Sequence, residues 1–504
     1  MGETPTISAT ANSSNAGLQT SYPPITDDDE EPPDHRSHRS NLSRDSRVTG
    51  KVERSSTICT YTVEEQPSTS LSGLPQVSGE EPVRRLSRLR TLFTPAHTVG
   101  PIPGYKASLI AAIKYSPLNI CLAFIPVSWA LHYTHQSHTL VFVFSALAII
   151  PLAALLGLGT EQVAFRTSQS VGGLLNATLG NVVEMIIAGI ALKECDLALV
   201  QSSLLGGLLS NLLLVLGTAF IVGGFRFHQQ EFQPMAAQLN SSLMTVSVIS
   251  LLVPAAFHEF LGDRLAGEEG PLLLQLSRGS SIVLILIYIA YLFFQFYSHN
   301  HLFMDVPISV AHQKTKGGAE ITTTTTAALP TWMLHDKAKM NIPSAIFILV
   351  ASTALAYVTA ENLVSSLNGL VENSSISKEW ITLIVIPVIS NAAEHATAVV
   401  VASKGKFDLA MSVAVGSCIQ IALFVVPVLV IIAWGMGKPL TLLFDPIETM
   451  CLFMSVLIVK FSIEDGKSHW MSGVVLIGVY VVIALSFWDY PMAQNTLPAT
   501  LICV

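Results

Sequence analysis

Two short segments of the chain each place an asparagine three residues before a glutamate, inside stretches hydrophobic enough to span a membrane. The first contains Asn181 and Glu184, and the second contains Asn391 and Glu394. On a helix, this spacing puts both side chains on one face. An ionised glutamate near the centre of a bilayer costs roughly 2.5–3.5 kcal/mol, so it is rarely found there without a function. The repeated pattern predicts one cation site that two copies of a unit build together.

The ligand types in these segments suit a hard metal ion. Calcium binds roughly six to eight carboxylate, amide or hydroxyl oxygens, whereas magnesium gives up its water reluctantly. The two glutamates also balance the charge of one divalent ion. Without that ion, two nearby carboxylates in a medium of low dielectric constant repel each other and take up protons. One site can thus bind either a divalent cation or protons, which is sufficient for exchange if the site opens to each side in turn.

Other polar residues of the apolar segments are further candidates for the same site. Ser417 and Gln420 interrupt an otherwise apolar helix and are predicted to line a cavity. His395 either tunes the proton affinity of the neighbouring Glu394 or packs as an imidazole with one hydrogen bond. Glu361, near the outer end of its segment, is either an entry ligand for the ion or an interfacial charge.

The composition is that of a membrane protein. Half of the 504 residues are hydrophobic, 12% are charged and the mean hydropathy is +0.54, which excludes an ordinary soluble domain. The six cysteines are scattered without paired spacing and predict neither a disulfide framework nor a zinc site. We therefore expect a transporter in a lipid bilayer, not an enzyme, with no cofactor and no nucleic-acid partner.

The first 104 residues differ from the rest. Serine, threonine, proline, arginine and acidic residues dominate them, and such a segment cannot bury enough surface to offset its ordering entropy. We expect a disordered cytosolic tail. It ends in the basic cluster 84–90, where Ser87 is placed as a basophilic kinase would require. The alternative is a solvated or lipid-facing patch that only orients the first helix.

Eleven apolar runs of membrane-spanning length follow the tail. The predicted spans are 117–133, 139–157, 172–193, 200–222, 238–256, 279–298, 342–364, 381–402, 408–433, 443–462 and 470–488. We expect an all-α membrane protein with eleven transmembrane helices, one plus two inverted five-helix repeats. The predicted divisions are the tail 1–104, a first helix 105–135, a first repeat 136–298, a cytosolic linker 299–340, a second repeat 341–490 and a lumenal tail 491–504.

The distribution of basic residues predicts the orientation. With the N-terminus in the cytosol, cytosolic loops hold ten lysines and arginines against five on the opposite side. Five crossings per half make the halves enter from opposite faces, so they form an inverted repeat with substrate at the midplane. The offset of 210 between the two glutamates also relates Gly206 to Gly416. It grows to 212 where Asp196 matches Asp408.

Four segments resemble the vacuolar calcium/proton exchangers of fungi and plants, the proton-coupled branch of the cation/calcium exchanger superfamily. They are 180–186, 203–217, 391–395 and 406–424. The resemblance implies that Glu184 and Glu394 are the acidic ion ligands. It implies that the site is lined by Asn181, Asn391, Ser210, Ser417 and Gln420. It also implies a vacuolar membrane and export of calcium from the cytosol, driven by the lumenal proton gradient. It sets no oligomeric state.

The chain departs from the usual pattern of this family near the first glutamate and elsewhere. Val182 and Val183 stand where alanine and threonine are usual, and Ser390 replaces a glycine before Asn391. These changes leave open an altered ion choice, manganese or a monovalent cation. A cation channel gated by the tail is a second alternative, and a membrane scaffold without transport is a third.

Overall fold

The computed structural model describes residues 102–167, 169–261, 269–299, 302, 338–372 and 374–490. The structure does not describe Ser87, which is the proposed kinase target. Nearly all of the tail, most of the linker and the segment after residue 490 also lie outside the described residues. The predictions for these parts therefore stay predictions.

Helices make up almost the whole described chain. The first half contains α1 (Tyr105–Ile113), a 3₁₀ turn (Pro117–Ala123), α2 (Phe124–Tyr133), α3 (His138–Ala164), α4 (Gln169–Leu179), α5 (Val182–Glu194), α6 (Leu197–Leu209), a π segment (Ser210–Val215), α7 (Leu216–Gly224), β1 (Gln230–Glu231), α8 (Pro234–Leu261), α9 (Glu269–Phe293) and a π segment (Phe294–Ser298).

The second half has a similar order of elements. It contains α10 (Ile342–Glu372), α11 (Lys378–Trp380), a π segment (Ile381–Val385), α12 (Ile386–Ser390), α13 (Ala392–Ser403), α14 (Phe407–Gln420), a π segment (Ile421–Val425), α15 (Val426–Gly435), α16 (Pro446–Ile463), β2 (Lys467–Ser468) and α17 (Trp470–Ser486). The two short strands pair antiparallel, with Gln230 opposite Ser468.

Several of these helices meet the length and hydropathy of a membrane span. Seven described helices do so on their own: His138–Ala164, Leu197–Gly224, Pro234–Phe260, Glu269–Ser298, Ile342–Glu372, Phe407–Gly435 and Pro446–Ile463. Two bent pairs also qualify, one around residue 115 with a bend of 90° and one around Asn391 with a bend of 55°. The prediction of a mostly helical membrane protein is confirmed.

Two long helices form the centre of the molecule. In Leu197–Gly224 and Phe407–Gly435, 78% and 72% of the most apolar stretch is buried, against 22% in Glu269–Ser298. The outer helices instead expose large apolar side chains, such as Leu286 and Val482. Such an exposed apolar surface suits lipid, while the buried pair provides a rigid support for polar side chains.

Both segments with the Asn-Glu pattern are broken helices, not continuous ones. Asn181 and Asn391 have non-helical backbone angles, φ −101° and ψ 31° for the first and φ −87° and ψ 7° for the second. Each asparagine is therefore the cap residue of a new helix, and its segment is not one continuous helix. Asparagine favours such caps because its side chain competes with helical hydrogen bonds. Each glutamate consequently lies in the first turn of a new helix, near the positive end of its dipole.

Hydrogen bonds from two basic side chains show that the central helices run in opposite directions. Beyond the end of α15, Lys438 Nζ donates to the carbonyls of Leu192 and Lys193, both at 2.7 Å, at the end of α5. Beyond the end of α7, Arg226 donates at 3.0 Å to the carbonyl of Ser403 at the end of α13. Because α6 begins where α5 ends, and α14 where α13 ends, Leu197–Gly224 and Phe407–Gly435 are antiparallel.

Gly206 and Gly416 occupy related positions but have different surroundings. A Cβ at Gly206 would lie 2.1 Å from the Leu383 carbonyl oxygen and 2.6 Å from Pro387 Cγ. A Cβ at Gly416 would meet only Ser412 Oγ, at 3.8 Å. Helix α6 thus lies directly against the backbone of the second broken helix, and this close approach requires a glycine at 206.

Cys195 departs from the expectation of no disulfide. It follows α5 and is disulfide-bonded. The spacing of cysteines predicts pairing only in short, regular frameworks, so it does not identify this bond. Among the described residues, Cys121, Cys418 and Cys451 are free thiols.

We expect Gly206→Ala to lower the melting temperature of the detergent-solubilised protein, because the added methyl group overpacks the contact at a cost of roughly 1–3 kcal/mol. Gly416→Ala is the matched control. It should leave the melting temperature unchanged or higher, since alanine is favoured over glycine within helices by about 1 kcal/mol. Equal effects of the two substitutions would contradict the packing difference between the two halves.

Candidate cation site

Glu394 is held by side chains from both central helices. Ser417 Oγ lies 3.1 Å from Glu394 Oε1, and Asn211 Nδ2 donates at 3.0 Å to Glu394 Oε2. The same Asn211 amide lies 3.1 Å from Ser417 Oγ, which also lies 2.8 Å from Asn181 Oδ1. The single hydroxyl proton of Ser417 is thus offered to a carboxylate of one broken helix or to an amide of the other. This network joins the two Asn-Glu segments into one site.

Glu184 lies at the same centre, three residues after Asn181. Its side chain is buried, and Glu184 Oε1 has no hydrogen-bond partner. The carboxylate borders a small cavity that is also lined by Ser203 and Ser390. It lies close enough to Glu394 for the two to interact electrostatically. The structure therefore brings the two predicted carboxylates together, with Glu184 buried and Glu394 half-buried.

Several polar atoms around the two carboxylates are buried without a hydrogen-bond partner. Besides Glu184 Oε1, they are Asn181 Nδ2, both side-chain atoms of Asn391, and Gln420 Nε2. Buried polar groups are normally paired, so such a group of unpaired atoms calls for an explanation. An amide that turns by 180° presents its oxygen in place of its nitrogen. The arrangement fits a site whose ligand would complete these contacts.

Gln420 and Asn391, two of the predicted site residues, face the opposite half of the molecule. A Cβ at Gly180, beside Asn181, would lie 3.7 Å from Gln420 Oε1. A Cβ at Gly207 would lie 3.7 Å from Asn391 Nδ2. The continuous helix of each half thus faces the break in the other half.

His395 contacts the first half through one hydrogen bond. Its Nε2 lies 3.1 Å from Ser210 Oγ in the π segment after α6. This is the single hydrogen bond of the packed-imidazole interpretation, and it also links the neighbour of Glu394 to a predicted site residue. The proposed role of His395 in proton coupling stays a prediction.

Glu361 lies in a different environment. Its Oε1 is 3.6 Å from Lys193 Nζ, and both side chains are largely exposed. It therefore forms a surface ion pair at the end of α5. A role as an entry ligand for the ion stays a prediction, and such an exposed pair contributes little stability.

Asn211 is a site residue that the sequence analysis missed. The family resemblance implied Ser210, but the π segment that begins there accommodates an extra residue per turn and alters which side chains face the carboxylates. A buried asparagine in so apolar a segment was the available signal. Ser203 and Ser390, which border the Glu184 cavity, were likewise not predicted as site residues.

The donor set suits a hard ion. In the part of the chain that the structure describes, no three histidine, cysteine, aspartate or glutamate side chains converge as a metal centre of their own. Two carboxylates with amide and hydroxyl oxygens are instead typical of calcium ligands, supplemented by backbone or water oxygens.

Comparisons with known proteins show the family of this chain. The sequence pattern of the sodium/calcium exchanger protein family matches residues 137–297 and 344–488. A vacuolar calcium ion transporter of Cryptococcus neoformans var. grubii is 43% identical over 472 residues, covering 79% of this chain and 78% of its own length. A vacuolar calcium ion transporter of Schizosaccharomyces pombe is 39% identical over 381 residues, covering 76% and 87%.

A solved structure has the same fold. The crystal structure of the Ca²⁺/H⁺ antiporter protein YfkE is 32% identical, with a TM-score of 0.59, and the match covers 74% of this chain and 98% of that one. The resemblance recognised from the four sequence segments is confirmed. From the matched pattern and these relatives, the chain belongs to the sodium/calcium exchanger protein family.

Proposed function

We propose that the chain is a secondary antiporter that exchanges cytosolic calcium for lumenal protons across a vacuolar membrane. The observation that carries the proposal is the joining of two broken helices at one buried site, through Ser417, Asn181 and Glu394. The fungal relatives are vacuolar calcium ion transporters and YfkE is a Ca²⁺/H⁺ antiporter, which supports the choice of calcium and protons.

In the proposed mechanism, Glu184 and Glu394 are the groups that bind either calcium or protons. With the site open to the cytosol, the deprotonated pair captures calcium, with carboxylate and backbone oxygens as ligands. When the site opens to an acidic lumen, protons compete for the carboxylates and the ion leaves. Each pH unit of gradient supplies roughly 1.4 kcal/mol per proton, so two protons per ion make uphill transport feasible.

The neighbouring polar residues have proposed roles that follow from their contacts. Asn211 and Ser417 orient the Glu394 carboxylate. Further proposed ligands are Asn181, Asn391, Ser210, Ser417 and Gln420. His395, through Ser210, is proposed to influence proton transfer at Glu394. Ser390 borders the Glu184 cavity and places a hydroxyl beside the Glu184 carboxylate. The segment of Glu184 itself carries valines and supplies no such hydroxyl. We therefore expect the preference for calcium to persist.

We further propose eleven crossings, arranged as one helix and two inverted five-helix repeats, with the N-terminus in the cytosol. The two lysine and arginine contacts support the repeat, because Arg226 and Lys438 are 212 residues apart and each binds the end of the other half's broken helix. Breaks at Asn181 and Asn391, 210 residues apart, support it as well. The predicted boundaries 136–298 and 341–490 enclose these elements.

Replacing either central carboxylate should abolish transport. We expect Glu184→Gln and Glu394→Gln to reduce proton-driven ⁴⁵Ca²⁺ uptake by reconstituted vesicles to the level of empty vesicles, because neither amide can exchange a metal for a proton. Glu231→Gln, an exposed glutamate paired with Lys467, is the control and should transport normally. Uptake by either central variant at wild-type rates would refute the proposal.

Cation competition defines the transported ion. At two lumenal pH values, unlabelled calcium should inhibit ⁴⁵Ca²⁺ uptake most strongly, manganese more weakly, and sodium or potassium not at all. A more acidic lumen should raise the rate, since protons displace the ion there. Stronger inhibition by manganese would favour the altered ion choice, and uptake that needs no proton gradient would favour a channel.

Ser417→Ala should raise the KM for calcium. It removes the hydroxyl that Glu394 and Asn181 share, and hydrogen bonds to charged groups contribute about 1.5–3 kcal/mol, so an increase of about tenfold or more is expected. Thr397→Ala, an exposed hydroxyl on the same helix as Glu394, serves as the control. An unchanged KM with normal expression would show that Ser417 does not position the carboxylate.

A further inference from the structure

Glu448 is a buried carboxylate that the proposed ion site does not use. It lies in the first turn of α16 and is 1% exposed. The Ser202 hydroxyl of α6 is within hydrogen-bonding reach of the carboxylate, while Glu448 Oε2 has no partner. The N-terminus of its helix favours the charged carboxylate, but burial with so few contacts opposes the charge and favours a bound proton or cation.

The groups that face Glu448 are acidic or neutral. Asp445 and Glu379 interact with it electrostatically, and Cys451 lies on the same helix. The Tyr490 hydroxyl donates to Asp445, 3.1 Å from one carboxylate oxygen. Burial, and then Asp445, raises the pKa of Tyr490 to about 12, so this phenol remains a neutral donor. Among the ion pairs of the described residues, none includes Glu448.

The offset between the two halves relates the residues around Glu448 to residues elsewhere in the molecule. Gln233-Pro234 at the start of α8 and Asp445-Pro446 at the start of α16 are 212 positions apart, which relates Ala236 to Glu448. Ser412 lies 210 positions after Ser202. Ala236 and Ser412 both line an accessible cavity beside Asp408, Asn240 and Gly416. The repeat relates Ala236 to Glu448 and Ser412 to Ser202. The contact between Ser202 and Glu448 therefore occupies the position that is equivalent to this cavity.

This related place is closed in the structure. Asp196, the counterpart of Asp408, forms an ion pair with Lys378 at 2.5 Å, and both side chains are mostly buried. Further along α6, Gly206 lies against the Leu383 carbonyl, whereas its counterpart Gly416 borders the cavity. A cavity is thus present on the Asp408 face, whereas the equivalent position on the Asp196 face is closed. When the exchanger opens in the other direction, Glu448 would line the new cavity.

We propose that Glu448 is a proton-binding residue of the access path on the Asp196 face and delivers protons toward Glu184. Ser203, next to Ser202, borders the cavity that contains Glu184, so the path leads to the ion site. A proton from lumenal water binds a carboxylate oxygen of Glu448 and passes through hydroxyls and water to the Glu184 carboxylate, which releases its metal. Because the related residue is Ala236, an acid at this position is present in one half of the repeat and not in the other. This inference rests on the proposed exchange function and orientation.

Glu448→Gln in the reconstituted full-length chain tests the inference. We expect proton-driven ⁴⁵Ca²⁺ uptake to fall by about tenfold or more, as for loss of a positioned proton-transfer group. Exchange of ⁴⁵Ca²⁺ for unlabelled calcium at equal pH needs no proton and should stay within about twofold of wild type. The dependence of uptake on lumenal pH should flatten, and Glu448→Asp should restore part of it. Glu464→Gln, exposed near the other end of the same helix, is the control.

The outcomes separate the inference from the proposed function. An equal loss of both fluxes in Glu448→Gln would assign Glu448 a structural role, and normal proton-driven uptake would remove it from the proton path. Either result overturns the inference and leaves the exchange function intact. If the wild-type chain shows neither flux, the proposed function itself fails, and the inference fails with it.

Discussion

Mutual repulsion between two carboxylates at the centre of the protein is the constraint around which this structure is arranged. Glu184 is buried, Glu394 is half-buried, and the two interact with each other, so the empty site favours a cation or protons over two unbalanced charges. Each glutamate follows a helix break, where a helix N-terminus favours negative charge. The breaks, the shared hydroxyl of Ser417 and the rigid central helices all serve to hold the two groups together.

The pair of antiparallel central helices explains how one site can serve two faces. Arg226 and Lys438 fix the ends of the opposite broken helices, so each half holds the other at its outer edge. The related glycines are packed differently, tightly at Gly206 and loosely at Gly416. In the proposed exchange cycle, reversing this difference would close one access path and open the other. The binding of either calcium or protons by the carboxylates would then decide which ion crosses in each direction.

Much of the site could be predicted from the sequence because its signals are polar residues in apolar surroundings. Glu184, Glu394 and Ser417 stand out for this reason, and the structure brings them together. The helix break at Asn181 was not predicted, since the hydrophobic run continues across it. Asn211 was missed because a π segment changes the register locally, which spacing along the chain does not show.

Buried acids outside the repeated pattern were also beyond the reach of sequence patterns. Glu448 lies at the start of an apolar helix, where an acidic residue is ordinary, and its burial appears once α6 packs against α16. The disulfide at Cys195 was likewise not predicted from the sequence, because the scattered cysteines show no regular spacing.

Counting the protons that calcium releases on binding tests the central claim most directly. Calorimetric titration of the detergent-solubilised protein with calcium, at mildly acidic pH and in buffers of different ionisation enthalpy, gives this number. The account predicts release of about one to two protons per calcium bound, because the ion displaces protons from the same carboxylates. Calcium binding with no proton release at any pH would contradict it.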